Sequence, residues 1–137
     1  MWKETLTIDI ELFNQEWKVY LDTRNRMDYD IARAGWVGDF MDPDTFLQIW
    51  ITEENDSLND TGWSNPEYDQ LLRTGYQANS LEERYRNFEI AEGIMLEELP
   101  CIPIYWYRRP FLIDPRLKGW NPKQLDAHNF KFLRFEN

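Results

Sequence analysis

The sequence holds one cysteine, Cys101, and one histidine, His128. A lone thiol excludes an internal disulfide and any site built on several cysteines. The lone imidazole sits in a turn-rich tail near Asp126, with no serine or cysteine nucleophile motif to serve, and triad chemistry needs nucleophile, base and orienter together. There is no Gly-x-Ser-x-Gly elbow and no glycine-rich phosphate loop. Positive charge is also scarce: 15 Lys and Arg stand against 25 Asp and Glu, for a net charge of −10. That balance argues against nucleic acid and anionic membrane surfaces as partners. No run approaches the roughly 18 apolar residues of a membrane span, and no signal-peptide pattern is visible.

What is abundant is aromatic surface, with seven Trp, seven Tyr and eight Phe in 137 residues. The length suits one domain or part of a larger one. Residues 1–6 read as the last turn of a helix, which suggests a fragment. Residues 7–12 alternate strictly, so Ile8, Ile10 and Leu12 are expected on the core face of a half-buried strand. Asn14 is placed to cap a helix carrying Trp17, Tyr20, Leu21 and Arg24 on one face. Residues 30–36 form the second expected strand. Strand, helix and strand within about 30 residues match a right-handed βαβ unit, so the fold class is read as α/β, with a mixed sheet flanked by helices.

Asp42-Pro43 and Asn65-Pro66 each read as a cap followed by proline at the first helical position. The first opens a helix with Phe46, Leu47, Trp50 and Ile51 as its stripe, the second a helix with Tyr68, Leu71 and Leu72 inward. Between them, residues 52–64 read as a polar loop, its two sequons at Asn55 and Asn59 taken as chance. Ser80-Leu-Glu-Glu83 is a capping box before a helix with Tyr85, Phe88, Ala91, Ile94 and Met95 at helical spacing, ending near Pro100. Cys101 reads as a small core residue in a short apolar strand, 101–107, with an edge position suggested by Pro103. A boundary is expected near Arg108, followed by a helix-free tail with extended pieces at 111–114 and 130–135.

Two stretches carry possible chemistry. Gly35, Trp36, Val37, Gly38 and Asp39 end the second strand in flexible backbone beside an aromatic ring and a carboxylate. Such an edge can hold an extended ligand with a cationic end; on spacing alone an ordinary turn with a solvated aspartate is the simpler reading. Asp39 and Asp42 could form an acid–base pair, but a cap explains Asp42 better. Tyr105, Trp106 and Tyr107 alternate in direction, with Tyr107 at the strand end nearest the boundary; sheet core is the simpler reading. The acidic loop 55–60 lacks the ligand positions and closing Glu of a calcium site, and Glu82-Glu83-Arg84 and Glu97-Glu98 read as solvated helix faces. No metal site and no cofactor are expected. A carbohydrate-active domain, suggested by the Trp and carboxylate content, would need two carboxylates facing one groove.

The ordered set Asp30-Ile-Ala-Arg33-Ala-Gly-Trp36-x-x-Asp39-Phe-x-Asp-Pro43-x-Thr-Phe46, Trp63-Ser-Asn-Pro66-Glu-Tyr-Asp69 and Pro100-x-Ile-Pro103-Ile-Tyr-Trp-Tyr107 resembles the C-terminal part of the family 5 extracellular solute-binding proteins. Within them it is most similar to the oligopeptide-binding proteins of ABC importers. The resemblance implies a type II periplasmic-binding fold, with residues 1–108 in one lobe and 109–137 a tail returning to the other. It implies a non-enzyme, periplasmic or extracellular and membrane-associated when complete, that captures oligopeptides by main-chain pairing and passes them to a membrane permease. By the same resemblance, Asp39 meets the peptide α-amino group, Arg33 serves its carboxylate, Gly35 and Val37 offer backbone, Trp36 lines a pocket and Tyr107 stands at the cleft. Some relatives carry a cysteine where this chain has Val37, so the disulfide they form cannot exist here. A sugar or nickel complex is the alternative cargo in the same family, and the exposed aromatics suggest that an isolated fragment dimerises.

Overall fold

The computed structural model describes residues 2–52, 58–108, 110–121, 125 and 129–136. These fall into two compact units, Met1–Arg33 with Asp60–Gly62, and Ala34–Asn59 with Trp63–Asn137. The expected loop residues 53–57 and His128 lie outside the described residues.

In the first unit, α1 spans Trp2–Leu6 and α2 spans Trp17–Asn25. Residues 2–6, expected to be helical, form α1. The cap of α2 is Glu16 and not Asn14: the Glu16 carboxylate accepts the Lys18 N–H at 2.9 Å, and a carboxylate suits the positive end of the helix dipole. Trp17 stacks on Tyr20, ring centres 5.4 Å apart. Tyr20 in turn donates to the Arg33 carbonyl at 2.7 Å. Arg24 pairs with Asp60 at 2.6 Å, and both side chains are largely shielded. Gly62, at φ +71°, takes a left-handed conformation that only glycine adopts cheaply.

The second unit is built on helices. After the one-turn α3 (Asp44–Leu47) and a 3₁₀ turn (Gln48–Trp50) come α4 (Pro66–Gln77) and α5 (Leu81–Glu98). The Asn65 side chain accepts from the N–H groups of Glu67 and Tyr68, as a cap before proline should. At the start of α5, Ser80 accepts from the Glu83 N–H. Glu83 answers one residue early, on the Asn79 N–H. Leu99, left-handed at φ 54°, ends α5 close to the expected Pro100.

Helices α4 and α5 pack on each other and on α3, enclosing Leu47, Tyr68, Leu72, Phe88, Ala91 and Met95, with Tyr68 and Leu72 fully buried. Leu71, Ile94 and Cys101 pack against this core from its margin. Two expected stripe positions turn outward: Tyr85 is exposed, and so is Phe46 of α3, while Ile49 in the following 3₁₀ turn is buried. The short helix passes into a tighter 3₁₀ turn there, and the change of period rotates the inward face.

The expected mixed sheet is the main departure. Among the described residues the only ladder is a two-residue antiparallel pair, β1 (Leu117–Lys118) with β2 (Arg134–Phe135), Leu117 opposite Phe135. Residues 7–12, 32–38 and 102–107 are neither helix nor ladder. Ile8, Ile10 and Leu12, expected on a core face, are exposed, Leu12 to 91%. A strand needs a neighbour for its amides and a layer for its apolar face, and the described residues supply neither. The tail contains no α-helix among its described residues; Phe130–Phe132, expected extended, is a 3₁₀ turn leading into β2. Gly119, at φ +83°, is obligatory, because a Cβ there would lie 2.0 Å from the Phe132 carbonyl oxygen.

Candidate functional site

Residues 32–38 run without bend or turn, between bends at 30–31 and 39–42. The backbone of Gly35, Trp36 and Val37 makes no hydrogen bond among the described residues. All three are exposed. An unbent, unpaired backbone presents alternating donors and acceptors to any chain laid alongside it. Glycine at 35 keeps the approach open, and a methyl group there would still sit in ordinary contact, 3.5 Å from Tyr107 Cε2. The Tyr107 ring packs edge-on against Tyr105, centres 4.9 Å apart, as alternation along 105–107 requires. Trp106 points the other way and meets Phe46 edge to face at 5.8 Å, while remaining 82% exposed.

The bend is held from below. Thr45, 1% exposed, accepts the Asp39 backbone N–H on Oγ1 at 2.9 Å. Gly38 is closely packed, since a Cβ would come within 3.1 Å of Thr45 Cγ2 and 3.3 Å of Phe46 Cζ, and these side chains would have to give way. Asp42 accepts from the Asp44 N–H at 3.0 Å and receives Nε and Nη2 of Arg84 at 3.3 and 3.0 Å. The Arg84 guanidinium also lies over the Phe88 ring, 4.5 Å from its centre. Burial alone would raise the Asp42 carboxyl, but the Arg84 and Asp44 hydrogen bonds and the Arg84 charge outweigh it and hold it below the usual carboxylate range. Asp42 is thus committed to structure. The Asp39 carboxylate is exposed and has no partner among the described residues.

Of the expected site residues, Gly35, Trp36, Val37, Asp39 and Tyr107 belong to one unit, and Gly35 and Tyr107 are neighbours. Arg33 belongs to the other unit, exposed, its carbonyl held by Tyr20. Sequence reasoning read Arg84 as part of a solvated helix face, although a cation in the first turns of a helix opposes the dipole and so signals a partner; the structure pairs it with Asp42. It also read Glu98 as solvated. Glu98 accepts from Trp63 Nε1 and Asn65 Nδ2, both at 2.7 Å, tying the end of α5 to the start of α4. In the polar loop, Asn59 is buried and donates to the carbonyls of Trp50 and Trp63. Among the described residues no group of three or more His, Cys, Asp or Glu could hold a metal ion.

No family model matches the chain. The oligopeptide-binding protein OppA of Bacillus subtilis is 44% identical over 119 residues, which cover 87% of this chain and 22% of that protein. The periplasmic murein peptide-binding protein MppA of Escherichia coli is 39% identical over 128 residues, covering 91% of this chain and 24% of its own. The structure of that protein superposes with a TM-score of 0.83 at 38% identity, over 98% of this chain and 26% of the other. The structure of Haemophilus influenzae OppA in complex with RPPGFSPFR gives a TM-score of 0.82 at 36% identity, with the same coverage. The chain therefore spans about a quarter of the length of these relatives.

The relatives are binding proteins by name. Over most of its length the chain is similar to part of these peptide-binding proteins.

Proposed function

We propose that this chain is the C-terminal part of a two-lobed protein of the type II periplasmic-binding fold that captures oligopeptides, without catalysis, for an ABC importer. Residues 1–108 form part of one lobe and 109–137 return to the other. The complete protein works in the periplasm or outside the cell, associated with the membrane through its permease. Its remaining length supplies the strands that pair with 7–12, 32–38 and 102–107, turning exposed segments into a mixed sheet. The peptide lies along Gly35 and Val37 as an added strand, Trp36 and Tyr107 flank it, Asp39 meets its α-amino group and Arg33 serves its carboxylate. An isolated segment dimerises through the aromatic surface at 105–107.

One observation carries this reading: the unbent, unpaired backbone of residues 35–37 leads to an exposed carboxylate with no cation beside it among the described residues. A closing cleft desolvates that charge, and an ammonium group is the partner that offsets the cost. In the complete protein, Asp39→Asn should weaken trialanine binding by about 2 kcal/mol or more, about 30-fold. Calorimetry checks this, and unchanged affinity removes Asp39 from the site.

A further inference from the structure

Among the described residues the Asp39 side chain has no hydrogen-bond or ion-pair partner that would orient it. Whatever direction it holds comes from the backbone beneath it. That backbone is closed at two points. The Asp39 N–H is taken by the buried Thr45 hydroxyl at 2.9 Å, and the Thr45 N–H by the Asp42 carbonyl at 3.2 Å. The Thr45 methyl fits against Gly38, where nothing larger than hydrogen leaves room without a shift. Thr45 itself is 1% exposed, so no ligand reaches it directly.

We propose that Thr45 is a positioning residue for Asp39: its hydroxyl fixes the bend from which the carboxylate projects, and so sets the preference for a free α-amino group over a blocked one. The inference rests on the reading of Asp39 given above. Valine matches threonine in shape but offers no acceptor, so Thr45→Val leaves the Asp39 N–H unsatisfied. Serine keeps the acceptor and drops the methyl. The two variants separate the hydrogen bond from the packing.

The test measures dissociation constants of trialanine and N-acetyl-trialanine in the complete protein, and their ratio is the readout. A general loss of stability weakens both ligands alike and leaves the ratio unmoved. Thr45→Val should lower the preference for the free amine about tenfold, and Thr45→Ser should stay within about threefold of the wild type. Thr45→Ala carries the same expectation as Val if the valine variant does not fold. A ratio unchanged in Val and Ala, or a fall in Ser as deep as in Val, overturns the proposal. A wild type that binds both peptides equally overturns the Asp39 reading itself, a separate result. Independently of any variant, the Asp39 amide should exchange its hydrogen slowly; exchange at the rate of a free amide refutes the Thr45 bond.

Discussion

Asp39 and Asp42 stand three positions apart, with the same side chain and opposite fates. Asp42 is spent on the Asp44 N–H and on Arg84, whereas Asp39 is left open. The cap role of Asp42 was legible from Asp-Pro alone. Its ion pair was not, because Arg84 lies 42 positions away and no local pattern joins them. Arg84→Met should cost roughly 1–2 kcal/mol, between the values for surface and buried pairs. The sign with pH follows from the lowered Asp42 carboxyl: its contribution is complete above its unfolded value near pH ~4 and is lost as pH falls through the lower folded value. Urea midpoints for wild type and Arg84→Met should therefore converge as pH drops from 6 toward 2.5. A gap that persists at the acid end would show that packing over Phe88, and not charge, holds Arg84.

At the scale of elements, the helices were read well and the strands were not, for one physical reason. A helix satisfies its own backbone, so caps and spacing within α4 and α5 suffice to announce it. A strand is completed by a neighbour, and alternation in 7–12 says which face wants burial without saying where the partner comes from. Glu98 and Asn59 were misjudged because polar residues in acidic or turn-rich stretches look solvated until their long-range partners are known. The α4–α5 contact makes its own prediction. Gly75 lies on α4 under Phe88, and a Cβ there would come within 2.5 Å of Phe88 Cε1. Gly75→Ala gains about 1 kcal/mol of helix propensity but overpacks the seam at a cost of about 1–3 kcal/mol. A net loss in thermal midpoint is expected; a gain would mean that α4 and α5 separate at little cost.

For the chain as a whole, the core is concentrated on α3, α4 and α5 while Trp106, Leu12, Ile104 and Leu112 stand in water. A net charge of −10 keeps such a surface dispersed at low salt. Screening removes that repulsion, so sedimentation of the isolated segment should shift from monomer toward dimer as salt rises. A monomer at every concentration and ionic strength contradicts association through the aromatic surface. The buried Asn59 amide has a consequence for handling the chain. It opens the triplet Asn59-Asp60-Thr61, yet both its amide hydrogens are engaged inside the fold. In a host that attaches glycans during secretion, only chains still unfolded offer that nitrogen to the transferase, so a sugar on Asn59 marks molecules intercepted before they reached the native state.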